Sequence, residues 1–120
     1  MDPRHLKRIR IIQNLYALSF NNKTVDLPYP KELETEKILA KLDKIDRAIE
    51  RYASRYPLDK IARVDLAILR MSIYDLIYLN ETPKKVVIDE AVLLAKELSG
   101  EKSYAFVNAI LGKIVGHEKS

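Results

Sequence analysis

The sequence predicts an all-α fold, a compact bundle of about five helices, on three observations. Apolar residues recur at three- and four-residue intervals in every long segment, no segment reads as a strand, and the prolines and glycines fall nearly always between the periodic segments. With 120 residues, 48% of them hydrophobic and 32% charged, the chain can bury one real core and remain soluble, which excludes disordered and collagen-like classes.

The first helix is expected over Pro3 to Phe20, where Leu6, Ile9, Ile12, Tyr16 and Phe20 fall within one arc that should face the core. Residues 21–30 contain an Asn pair and two prolines around Tyr29, which predicts a linker loop. From Lys31 to about Tyr52, Leu33, Ile38, Leu42, Ile45 and Ile49 mark an amphipathic helix that ends before Tyr56-Pro57. The segment Asp59 to Leu79 is apolar nearly all round and is the expected central, buried helix. Asn80 to Thr82 interrupt it before Pro83. A fourth helix follows through Val87, Ala91, Leu94 and Leu98 to a glycine cap at Gly100. Ser103 is the expected N-cap of a fifth helix, with Val107, Ile110, Leu111 and Ile114 as its buried stripe and Gly116 to Ser120 as a polar tail.

Function classes narrow by exclusion. No cysteine is present, so no disulfide framework or thiolate site exists, and two histidines cannot fill a metal site alone. No phosphate loop, nucleophile elbow or metal-binding histidine motif occurs; no enzyme activity, cofactor or metal is therefore expected. No stretch is long and apolar enough for a membrane span, and no signal peptide is recognisable, so a cytoplasmic location is expected. The net charge of +4 leans mildly toward a polyanionic partner.

The placement of charge is more specific. Arg4, Lys7, Arg8 and Ile11 cluster opposite the apolar arc of the first helix, Arg10 flanks them, and only Asp2 offsets the four cations. Such a patch can neutralise phosphates, or can be an ordinary solvated face. On the last helix Lys102, Phe106 and Lys113 share one side, an aromatic between cations of the kind that holds single-stranded RNA, although Phe106 also reads as an edge-of-core residue. Arg70 points into the apolar arc of the central helix and needs a partner, for which Glu90 is the expected choice. Asp65, Ser72 and Asp75 form a polar strip, either the solvent side of that helix or a docking strip for a partner. Asp43, Asp46 and Glu50 read as surface ion pairs with Lys44, Arg47 and Arg51, and His5 and His117 as exposed and incidental.

Three ordered motifs stand in the carboxyl-terminal half: Val64-Asp65-Leu66-Ala67-Ile68-Leu69-Arg70, then Pro83-Lys84-Lys85 through Asp89-Glu90-Ala91 to Lys96, then Phe106-Val107-Asn108-Ala109-Ile110-Leu111 with Lys113 and Ile114. Together with the basic first helix ending in Asn14-Leu15-Tyr16-Ala17, they resemble the NusB family of transcription antitermination factors over roughly residues 56 to 115. The resemblance implies a single RNA-binding domain over 1–120, with a basic helix at 3–20, the linker at 21–30 and a helical core at 57–115. It implies an adaptor without enzymatic activity that binds boxA-type single-stranded RNA jointly with NusE, a small-subunit ribosomal protein, within a transcription elongation complex. By position it carries the RNA role to Arg4, Lys7, Arg8, Arg10 and Phe106, and a face for the ribosomal protein to Asp65; Arg70, Glu90 and Asn108 are read as structural.

Two departures stand out. The region before Tyr56 reads as a helix short, and Ala105 and Ala109 stand where the family commonly has Lys and Gly, leaving Lys102 to supply the phosphate contact. Two alternatives remain: a protein-docking module that never touches RNA, and an accessory domain of an RNA methyltransferase, which would need a separate catalytic subunit because the chain reads as complete from Met1. Self-association is a further expectation, with Tyr29 and Leu33 available for it.

Overall fold

The computed structural model describes residues 2–20 and 26–119, so part of the expected linker, residues 21–25, lies outside the described residues. Six α-helices and no strand occur among the described residues: α1 (Pro3–Leu18), α2 (Glu34–Ala40), α3 (Leu42–Tyr52), α4 (Arg63–Tyr74), α5 (Lys84–Leu98) and α6 (Glu101–Lys119). The sixth helix comes from the segment 31–52, which divides at Lys41. There the backbone leaves helical geometry (φ −108°, ψ 9°) without a proline or glycine to announce it. The break lets two short apolar stripes serve different neighbours. Ile38 seals α2 against α1 and α4, whereas Ile45 and Ile49 seal α3 against α4 and α6.

α4 is the hub and packs on each of the other five helices. Its run Leu66–Tyr74 is buried apart from Arg70, as an all-round apolar helix must be to remove its surface from water. The segment 59–79 is nevertheless not one helix. Leu58–Lys60 form a 3-10 turn, Ile61 is extended, and after Tyr74 the chain widens into a π turn over Asp75–Leu79. That turn closes on Asn80, whose left-handed backbone (φ 53°) lets its N–H bond the Asp75 carbonyl at 2.8 Å. α5 ends where its glycine predicts. Gly100 has φ 145°, and its N–H reaches the Ala95 carbonyl at 3.0 Å. α6 continues through the expected polar tail to Lys119.

The N-terminal helix is anchored by Asp2, whose carboxylate accepts from the Arg4 N–H at 2.9 Å, with Pro3 at the first helical position. Its core face is rotated from the expected arc. Ile11, Ile12 and Leu15 are buried, whereas Leu6, Tyr16 and Phe20 are exposed, Phe20 by 50%. The reason is an interaction that periodicity cannot reveal. Asn14 is fully buried and pins α1 to the far end of the linker: its Nδ2 donates to the Tyr29 carbonyl (2.8 Å) and Thr35 Oγ1 (2.9 Å), and its Oδ1 accepts from the Tyr29 N–H (2.9 Å). Phe20 instead lies under the Arg63 guanidinium, 4.2 Å from its ring centroid, and Arg63 also donates to the Ser19 carbonyl.

Candidate nucleic-acid interface

Residues 53–56 leave α3 through a turn in which the Tyr56 N–H bonds the Ala53 carbonyl at 2.9 Å. That turn brings Tyr56 against Phe106 in the second turn of α6, with ring centroids 5.5 Å apart and planes at 84°. Tyr56 is exposed and Phe106 half-buried against the core, so the edge-to-face pair has a wet side and a seated side. Two hollows open on either side of the pair. One of about 230 Å3 is bordered by Lys60, Asp65, Lys102 and Ser103; the other, about 280 Å3, by Arg55 and Lys113. None of these four cations has a carboxylate partner among the described residues.

The structure thus brings three sequence-predicted residues, Lys102, Phe106 and Lys113, to one surface, and adds Tyr56, Arg55 and Lys60. The added residues were recognisable in principle. Arg55-Tyr56 repeats, in a turn before Pro57, the cation-beside-aromatic pattern seen on α6.

Asp65 also belongs here. It lies in the first turn of α4, 6% exposed, and borders the same hollow as Lys102 and Phe106. Its Oδ2 accepts from Ser103 Oγ at 2.9 Å, and Ser103 Oγ lies 2.8 Å from Ser99 Oγ. Ser103 is therefore not an N-cap: α6 begins at Glu101, and the serine links α6 to α4 and the end of α5. The other Asp65 oxygen, Oδ1, is buried without a hydrogen-bond partner among the described residues.

The basic end of α1 is different. Lys7 lies 3.8 Å from Glu34, Arg10 donates to Glu32 at 2.6 Å, and Arg8, only 16% exposed, lies 3.8 Å from Glu90. Carboxylates from α2, the segment just before it and α5 thus offset cations that along the sequence only Asp2 could offset. Ile11 of the same face is in the core, and Arg4 is the exposed cation without a carboxylate partner among the described residues. His5 is not incidental. Its Nδ1 lies 2.6 Å from Glu90 and its Nε2 3.1 Å from Glu97, an arrangement in which both ring nitrogens donate only when the imidazole is charged. The bond to Glu90 raises the His5 pKa above its usual value against the opposing effect of desolvation.

The polar strip on the central helix does not face solvent. Ser72 is 1% exposed and Asp65 is buried, because helices surround α4 on every side; neither can present a broad docking surface. Asp75, in the π turn, is half-buried. Burial pushes its carboxyl up to about 6, with Glu34 adding to the rise and Arg8 and Lys7 opposing it.

Arg70 pairs with Asp46 rather than Glu90. Its Nε and Nη2 donate to the two carboxylate oxygens at 2.9 and 3.0 Å, since this face of α4 meets α3. Asp46 is accordingly no surface ion pair of its own helix, and Glu90 serves α1 instead. Asn108 is exposed on α6 and takes no part in the core, contrary to the structural role expected of it. No group of metal-ligating side chains and no helix long and apolar enough to cross a membrane occurs among the described residues.

An all-α bundle that presents two aromatic rings between unneutralised cations has the form of a helical nucleic-acid-binding module. Residues 32–116 match the sequence model of the NusB family, and the chain belongs to that family. Its relatives include the transcription antitermination protein NusB of Acetivibrio thermocellus, 48% identical over 73 residues, a match that covers 61% of this chain but only 50% of that protein. The NusB of Lysinibacillus sphaericus is 31% identical over 125 residues, covering 96% of this chain and 98% of that protein. Two helices, α2 and α3, lie between the first helix and Tyr56. Among solved structures, T. maritima NusB superposes with a TM-score of 0.79 at 30% identity, covering 94% of this chain and 90% of that one. A crystal structure of the antitermination factors NusB and NusE in complex with double-stranded RNA shares the fold, with a TM-score of 0.71 at 21% identity over 94% of this chain and 97% of that one.

Proposed function

We propose that this chain is a transcription antitermination factor that binds single-stranded boxA-type RNA jointly with a NusE-type ribosomal protein and has no catalytic activity. It acts as one RNA-binding domain over residues 1–120, in the cytoplasm, as part of a transcription elongation complex. The observation that carries the reading is the Tyr56–Phe106 pair set between two hollows bordered by cations without carboxylate partners. Bases stack on exposed rings and cations track the backbone, and each phosphate neutralised adds a salt-sensitive increment of affinity. The α6 end is the principal contact, with Arg4 as a further phosphate contact from α1; Lys7, Arg8 and Arg10 act chiefly by holding α1 in place. The acidic group around Asp75 and Glu34 suits a cationic side chain of the ribosomal protein, which would favour the ionised Asp75.

The test is fluorescence anisotropy on a labelled boxA-like single-stranded RNA over a salt series, with and without the ribosomal protein. Binding that the partner tightens and that Phe106→Ala and Lys102→Glu weaken is the expected result. RNA binding that is absent under all conditions, with the partner still bound, would replace this reading by a protein-docking module.

A further inference from the structure

Asp65 is hard to explain as a purely structural residue. Its Oδ2 is held by Ser103, but its Oδ1 is buried without a hydrogen-bond partner among the described residues, an unsatisfied acceptor that holding Ser103 does not require and that lowers stability unless a donor reaches it. The position is not shielded within the deep core. Asp65 borders the 230 Å3 hollow, a volume that admits one planar heterocycle, together with the Phe106 and Tyr56 rings, which offer apolar contact, and with Lys60 and Lys102, which are exposed and long enough to reach a phosphate. The hollow therefore combines an apolar wall and two cations with a bordering carboxylate, one oxygen of which is buried and lacks a hydrogen-bond partner among the described residues. Its rim includes two exposed side chains, Tyr56 and Lys102.

We infer that this hollow receives one unstacked base of the bound RNA and selects a base carrying an exocyclic amino group, which donates to Asp65. The inference rests on the RNA-binding reading above and moves Asp65 from the ribosomal-protein face, where resemblance put it, to the RNA face. Of the two pyrimidines, cytosine has an amino donor at the position where uracil has a carbonyl acceptor. A carboxylate, which only accepts, satisfies the first and repels the second. The linkage of Asp65 Oδ2 to Ser103 and Ser99 holds the carboxylate in place, so that the discriminating group belongs to three helices and not to a loop. The two lysines contribute affinity without choosing between bases.

The test uses the full chain with the ribosomal protein present and four fluorescein-labelled twelve-nucleotide probes: oligocytidylate, oligouridylate, oligo(N4,N4-dimethylcytidylate) and oligoadenylate. Homopolymers remove any dependence on register. The wild-type protein is expected to bind the cytidylate on the order of tenfold more tightly than the uridylate or the dimethylated probe, with the adenylate also favoured over uridylate. Asp65→Asn, whose amide can both donate and accept, should bring cytidylate and uridylate within about twofold while leaving the salt dependence unchanged. Equal wild-type binding of cytidylate and its dimethylated form overturns the inference without recourse to any variant, so a misfolded Asp65→Asn cannot obscure the outcome. A cytidylate preference that persists in a folded Asp65→Asn also overturns it, as does a loss confined to ribosomal-protein affinity, which would return Asp65 to the protein face. In each of these cases the RNA-binding reading survives if Phe106→Ala still weakens all four probes, and fails if no probe binds.

Discussion

The two ends of the molecule rich in cations are built on opposite plans. At the start of α1, Lys7, Arg8, Arg10 and His5 each lie within 4 Å of a glutamate from another element, so their charge is largely used in fastening the helix to the bundle. Along α6 and in the segment after α3, Arg55, Lys60, Lys102 and Lys113 face outward with no acidic partner among the described residues, around a pair of rings. Counting charges along the chain ranks α1 first; counting them after folding reverses the order. A cation already paired with a carboxylate must give up that partner to meet a phosphate, and the exchange yields little in water.

The comparison is broken most directly at its aromatic side. Phe106→Ala removes a stacking surface and should lower RNA affinity by about tenfold to a hundredfold, measured by anisotropy, while a thermal melt reports the separate cost of removing a ring seated on the core. Charge reversals sharpen the contrast. Lys102→Glu should weaken RNA binding and flatten the salt dependence by about one unit of slope or more with little change in stability. Arg8→Glu, placed against Glu90, should instead lower stability by about 2 kcal/mol in urea unfolding and affect RNA mainly through that loss. If Arg8→Glu flattens the salt slope as much as Lys102→Glu does with stability unchanged, the contrast between the two ends is wrong.

Smaller effects are read from pH. Asp75 titrates near 6 in the folded state because of burial and Glu34, above its value in an unfolded chain. A raised carboxyl pKa means that the folded state holds the proton more tightly. Stability is therefore highest below about pH 4 on this account and falls as pH rises through about 6. Asp75→Asn should remove that fall and raise stability at pH 7 by on the order of 1–2 kcal/mol, measured by denaturant midpoint. His5 has the same sign by a different cause. Its contribution, made through Glu90 and Glu97, is complete below the unfolded histidine pKa and is lost as pH rises through the higher folded value, so His5→Gln should flatten the stability profile in that window.

What the sequence made legible follows from what periodicity can and cannot encode. The burial of the central segment, the stop before Pro83 and the cap at Gly100 are local properties of composition and backbone freedom and stand where they were expected, although the central α-helix is shorter, Arg63–Tyr74, than the apolar run that announced it. The face of α1 was misread because its decisive residue is a buried asparagine whose partners, Tyr29 and Thr35, lie across the linker. Helical spacing showed that Arg70 needed a partner but not that α3, rather than α5, would lie opposite it. Of the site, the Lys102–Phe106–Lys113 side of α6 was legible because it lies on one helix. The Arg55-Tyr56 pattern was local and legible as a pattern, but its place beside Phe106, and that of Lys60, were not, since a turn distant in sequence delivers them.

The joint between α5 and α6 has one further consequence. Two residues separate these helices, and the Asp65–Ser103–Ser99 chain ties the first turn of α6 to both α4 and the end of α5. The surface around Phe106 is thus held in its binding geometry before any ligand arrives, and the protein loses little conformational freedom on association. The ordering cost then falls on the single strand, and affinity should follow how far each RNA is already extended and unstacked in solution.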